Sequence, residues 1–150
     1  MAELNVVQTK MTLPGALHEE IVALSKEGDG LAEGRRFEDA LTKYHAAFRL
    51  LPEPREDWSA ATWLLAAIGD AHFLSGHTEE AATAFSRAMH CPDAIGNPFL
   101  HLRLGQCHLT LGDEAKAADE LTRAYAMAGI EIFEKEDPKL LEFLETKITR

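Results

Sequence analysis

Cysteine is scarce in this chain: Cys91 and Cys107 are the only two among 150 residues, and neither sits in a CxxC or other paired spacing. That excludes a disulfide framework and a thiolate metal centre, and leaves two buried free thiols as the expectation. Positive charge is short as well, with 15 Lys and Arg against 25 Asp and Glu and a net charge of -10. Such a surface repels phosphate backbones and anionic lipid, so nucleic acid and membranes are excluded as partners and a basic partner is favoured. Long apolar runs are missing too. The longest, Trp63 to Ile68, falls far short of the roughly 20 residues that span a bilayer. The opening Met1-Ala2-Glu3-Leu4-Asn5 lacks the basic start of a signal peptide, and a cytoplasmic protein is expected.

Catalytic vocabulary is equally thin. There is no phosphate-binding glycine loop, no nucleophile elbow and no ordered Ser/His/Asp or Cys/His set. The seven histidines form no tetrahedral ligand set at a recognised spacing. His72 and His108 fall on an apolar helical stripe and are expected in the core. Glu19-Glu20 and Glu79-Glu80 are adjacent, so on a helix their carboxylates diverge by about 100°. No catalytic residue, metal or cofactor is expected, and the chain is read as a non-enzyme.

What the chain does have is a repeat. Gly28, Gly69 and Gly105 each lie in an apolar helical pattern and are followed at the same offsets by Ala40, Tyr44 and Ala47, by Ala81, Phe85 and Ala88, and by Ala117, Leu121 and Ala124. A helical glycine costs about 1 kcal/mol relative to Ala, so its recurrence implies close approach of a partner helix. With 46% hydrophobic residues, the chain can bury a real core as a single domain.

Start and stop signals divide it further. Residues 1–12 show no period and read as a flexible tail, and residues 13–150 as one domain. Pro14 opens a helix to Glu33; a second runs from Phe37 to Leu51, where Pro52-Glu53-Pro54 stops it. A third runs from about Glu56 to Ser75-Gly76, a fourth from Thr78 to His90, and a fifth from Pro98 to Leu111 after Asn97. Asp113 is placed to cap a sixth, extended past Gly129 to Phe133. Asp137-Pro138 starts an amphipathic last helix, about 138–149, suited to capping the exposed end of a stack.

The three glycine registers resemble the tetratricopeptide repeat (TPR) family, whose pattern carries a small residue in the first helix and then Ala, aromatic and Ala in the second. The resemblance covers roughly residues 20 to 129, with repeats at about 20–54, 55–94 and 97–130. Gly28 and Gly69 are 41 residues apart and Gly69 and Gly105 are 36 apart, against about 34 in the family; the excess is assigned to Glu53–Ser59 and Ile95–Asn97. The resemblance implies an all-α, TPR-like α-solenoid of three helical hairpins plus a C-terminal capping helix.

In such a stack the first helices line a concave wall. Counting from each glycine, the wall stripe is Val22, Ser25, Asp29 and Ala32; then Trp63, Ala66, Asp70 and Phe73; then Phe99, Leu102, Gln106 and Leu109. The expected partner-binding residues are Asp29, Trp63, Ala66, Asp70, Phe73, Phe99, Leu102, Gln106 and Leu109. Asp29 and Asp70 would accept from a partner's Arg or Lys, and the aromatic and aliphatic members form an apolar patch of the kind that marks interfaces. The alternative is that Trp63 and Phe73 are core, or that the terminal helix folds into the groove. Some family members hold a chaperone's terminal carboxylate with Lys and Asn; here Ser25 and Ala66 replace the Lys and Asp29 and Asp70 the Asn, which implies that this clamp is absent.

The runs Trp63-Leu64-Leu65-Ala66-Ala67-Ile68-Gly69-Asp70-Ala71, Asn97-Pro98-Phe99-Leu100-His101-Leu102-Arg103-Leu104-Gly105-Gln106-Cys107 and Phe133-Glu134-Lys135-Glu136-Asp137-Pro138-Lys139 are similar to small bacterial TPR proteins that accompany Rhs-type and other polymorphic toxins. That resemblance implies an immunity protein, which binds and masks a toxin domain. The alternatives are an acidic TPR secretion chaperone holding an extended segment of a secreted protein, or an assembly scaffold. Self-association stays open.

Overall fold

The computed structural model describes residues 13–148, so the expected tail over residues 1–12 lies outside the described residues. Seven α-helices follow one another among them: α1 (Gly15–Glu33), α2 (Phe37–Arg49), α3 (Ser59–Leu74), α4 (Thr78–Ala88), α5 (Pro98–Thr110), α6 (Glu114–Ala128) and α7 (Pro138–Lys147). Short 3-10 turns at Arg55–Asp57 and Ile130–Phe133 fill two of the connections. Helices pack pairwise as α1 with α2, α3 with α4 and α5 with α6, and each hairpin stacks on the next through α2 against α3 and α4 against α5.

The glycines sit where each pair touches. A Cβ placed on Gly28 would lie 2.6 Å from Tyr44 Cε1, on Gly69 2.7 Å from Phe85 Cε1, and on Gly105 2.5 Å from Leu121 Cδ2. Each is below the closest approach real Cβ atoms make, so the missing methyl is the space the opposing side chain occupies. Phe85 and Leu121 are wholly buried and Tyr44 is 3% exposed. Full burial of such side chains contributes about 1.5–3 kcal/mol each.

Several helix limits differ from the sequence expectation. The third helix begins at Ser59, not near Glu56, because Trp58 is extended and its indole Nε1 donates to the Pro52 carbonyl at 2.8 Å, closing the preceding loop. The second and fourth helices end two residues early, in 3-10 bonds from the Leu50 N–H to the Ala47 carbonyl and from the His90 N–H to the Arg87 carbonyl. The sixth stops at Ala128, because Gly129 takes φ +74°, a left-handed value that turns the chain into the second 3-10 segment. Asn97, Asp113 and Asp137 cap α5, α6 and α7 by accepting from Phe99, Lys116 and Lys139 backbone N–H groups.

The apolar interior has two parts. The larger joins the first two hairpins to α5; the smaller contains Leu102, Leu121, Ala124, Phe133, Leu140 and Leu144, and is closed over by the segment after Gly129 and by α7. His101, 2% exposed, ties the loop before α5 to α6, with Nδ1 2.6 Å from Glu120 Oε2 and Nε2 2.8 Å from the Ile95 carbonyl oxygen. Cys91 and Cys107 are buried free thiols, and burial pushes the Cys107 thiol up to about 11. His72 and His108 are half-buried rather than sealed in the core. No helix among the described residues is long and apolar enough to cross a membrane.

Candidate functional site

The first helices of the three hairpins, α1, α3 and α5, place the stripe residues along one wall. Asp29 stands exposed on α1, and its Oδ1 accepts a 2.6 Å hydrogen bond from the Tyr44 hydroxyl, which reaches through from α2. Burial first, and the Asp29 carboxylate next, push the Tyr44 phenol far above its ordinary value; the hydroxyl therefore stays protonated and donates. Between α1 and α3 lies a hollow of about 380 Å³ bordered by Asp29, Glu33, Tyr44, Asp70 and Leu74. Ala32, Ala67 and Ala71 line the rest of it, and their short side chains leave the space open. Three carboxylates thus share one concavity with a single phenol.

Further along the wall the chain supplies its own cation. Arg103, on α5 and 9% exposed, donates from Nε to Asp70 Oδ1 at 2.7 Å and from Nη1 to Gln106 Oε1 at 2.8 Å and Glu136 Oε1 at 3.0 Å. Gln106 Nε2 donates to the same Glu136 oxygen at 2.8 Å. The guanidinium lies 4.6 Å from the Phe73 ring centroid and 4.9 Å from that of Phe99, so two rings hold it as well as two carboxylates. Glu136 comes from the loop before α7, so the C-terminal segment does fold onto the α5 end of the wall.

The nine expected residues are therefore divided. Asp29 and Asp70 share the α1/α3 hollow; Phe73, Phe99, Asp70 and Gln106 gather around Arg103. Leu102 is 2% exposed inside the smaller apolar cluster, with Leu109 half-buried against it, so Leu102 offers no surface to a partner. Ala66 is half-buried against the larger cluster. Trp63 keeps 37% of its surface exposed and borders a separate small hollow with Leu13, His18 and Trp58. Ser25, on the same stripe, is buried.

Sequence reasoning missed Arg103, Glu33, Tyr44 and Glu136. Arg103 left a signal: it is the one Lys or Arg in the run from Pro98 to Thr110, flanked by core leucines, where a cation has to find a carboxylate. Tyr44 enters the sequence pattern only as the ring paired with Gly28, and that ring is in the core. Its hydroxyl extends past the core to the wall.

No protein-family model and no curated protein matches this sequence. Solved structures do match. The chain resembles the Yersinia enterocolitica type III secretion chaperone SycD in complex with a peptide of the translocator YopD, with a TM-score of 0.67 and 18% identity over 85% of this chain and 92% of that one. It resembles the Arabidopsis OM64 TPR domain, with a TM-score of 0.69 and 18% identity over 88% and 99%. It also resembles the first TPR of Spaghetti (RPAP3) bound to the HSP90 peptide SRMEEVD, with a TM-score of 0.65 and 13% identity over 85% and 90%. These likenesses establish the fold: an all-α, TPR-like solenoid of three helical hairpins followed by a C-terminal helix.

Proposed function

We propose that this protein is a non-catalytic binding module that holds a basic polypeptide segment on its concave wall, with the α1/α3 hollow receiving a lysine or arginine side chain. The observation that carries this is the convergence of Asp29, Glu33 and Asp70 on one hollow with alanine walls and Leu74 at its edge. Arg103 already pairs with Asp70, so charge selection rests on Asp29 and Glu33. The Asp29 carboxylate is bonded to a phenol rather than to a cation. A cation with a long methylene stem suits such a site: the stem packs on Ala67, Ala71 and Leu74 while the head meets the carboxylates.

Among the structural neighbours, SycD is in complex with a peptide of a translocator, which supports the secretion-chaperone reading over a scaffold. The toxin-masking reading keeps its support in the three sequence runs quoted above and in the net charge of -10. The two differ in what is held. A chaperone retains affinity for a short extended segment cut from its partner, whereas an immunity protein needs the folded domain.

The wall is tested with fluorescent ten-residue peptides alternating Lys and Leu, or Glu and Leu. Saturable binding of the Lys peptide alone is expected, weakened about tenfold, or about 1.4 kcal/mol, by Asp29→Asn combined with Glu33→Gln. Equal binding of both peptides, or a double variant that binds as the parent does, sinks the assignment. Proteolytic trimming of a co-purified native partner then separates the chaperone from the immunity reading.

A further inference from the structure

Successive first helices leave two intervals on the wall, one between α1 and α3 and one between α3 and α5. Both carry carboxylates. Asp29, Glu33 and Asp70 border the first, and Asp70 and Glu136 both bond Arg103 in the second. Among the described residues a cation reaches only the second, and the repeat shows why. Arg103 stands two residues before Gly105, whereas the residue two before Gly69 is Ala67. Ala67 lines the first hollow. From the same point of the hairpin, one helix sends a guanidinium onto the wall and the other a methyl group, and the hollow of about 380 Å³ stays open.

The occupied interval is a complete cation seat. Arg103 is 9% exposed, and the ring centroids of Phe73 and Phe99 lie 4.6 and 4.9 Å from its guanidinium. Its fork meets carboxylates on two sides, a pairing that suits a planar guanidinium. Glu136 Oε1 accepts from Gln106 Nε2 as well. A second cation arriving there would find the space beside the rings taken and both carboxylates engaged. The other interval keeps Asp29 and Glu33, neither of them paired with a cation among the described residues.

We propose that this one repeat position determines the specificity of the wall: Arg103 fills the α3/α5 interval with the chain's own cation, and Ala67 leaves the α1/α3 interval to a cation of the partner. The bound segment is thus read for one positive side chain at the α1 end, and a second one adjacent to it gains nothing. This inference rests on the reading of the wall given above. An Arg103 that served only to tie Glu136 to α5 would not alter, on removal, how many cations the wall accepts.

The test uses fluorescent ten-residue peptides of Ala and Ser carrying one Arg, or two Arg with one to four residues between them, in about 150 mM salt, where distant charges are screened. The parent chain should bind the one-Arg and two-Arg peptides within about threefold of each other. Arg103→Ala should favour the two-Arg peptide about tenfold at the best spacing. Ala67→Arg should weaken the one-Arg peptide about tenfold or more with helicity unchanged, because the hollow is then filled from within. A parent chain that already gains tenfold from the second Arg, an Arg103→Ala ratio equal to that of the parent, or an Ala67→Arg variant that binds as the parent does overturns the proposal. N-ethylguanidinium replaces the atoms that Arg103→Ala removes, so at millimolar concentration it should raise the thermal midpoint of that variant and not of the parent. No rise overturns the seat even where peptides bind; a rise without peptide binding to the parent keeps the seat and sinks only the reading of the hollow. Should Arg103→Ala not fold, Arg103→Gln takes its place in the peptide comparison.

Discussion

Three missing methyl groups set the spacing of this molecule. Gly28, Gly69 and Gly105 were legible in the sequence because a helical glycine is costly, and they meet Tyr44, Phe85 and Leu121, the residues at the repeated offset from each. Gly69→Ala gains about 1 kcal/mol of helix propensity but drives a Cβ into the buried Phe85 ring, an overpacking that costs about 1–3 kcal/mol. The expected net result is a protein destabilised by up to about 2 kcal/mol, read from urea unfolding; a stabilised variant would show that the ring can swing aside. Arg103 was less legible. Periodicity tells which way a side chain leaves its helix, but not that a long cationic stem will lie between two rings and reach a carboxylate on the loop before α7. The same limit applies to Tyr44, whose ring belongs to the interior and whose hydroxyl belongs to the wall.

The seven helices were largely visible as elements, and the departures are at their ends. Proline and aspartate starts held, because Asn97, Asp113 and Asp137 satisfy free N–H groups that any helix there would expose. Gly129 was passed over as one more helical glycine, although its φ of +74° reverses the chain; apolar residues on both sides of it masked the break. That reversal brings Phe133 and then α7 back across α5 and α6. Leu144, fully buried there, is a sensitive point: Leu144→Ala should cost about 2–4 kcal/mol in thermal or urea unfolding. The loss should be smaller for Leu141→Ala, which is only half-buried. Equal effects would mean that α7 is not held by the face assigned to it.

At the scale of the whole molecule, a net charge of -10 acts at a distance that individual contacts do not. Association with a basic partner should slow about tenfold or more as sodium chloride rises from 20 to 300 mM, while dissociation changes less, because screening shortens the reach of the field before contact. Stopped-flow rates across that series check it; a salt-independent association rate would place the recognition in apolar contact alone. The fold class and the division into hairpins could be read from the residue pattern. The chemistry of the wall could not, because Arg103 and Glu136 lie 33 residues apart in the chain and meet only when the third hairpin is closed over.

Tyr44, Phe85 and Leu121 occupy the same seat in successive hairpins, yet only the first has a hydroxyl to hand to the wall. One end of the wall is therefore polar and open, and the other is plugged by the chain's own guanidinium. A ribbon lying on such a surface has a heading: a peptide and its reversed sequence, identical in composition, would not be interchangeable occupants.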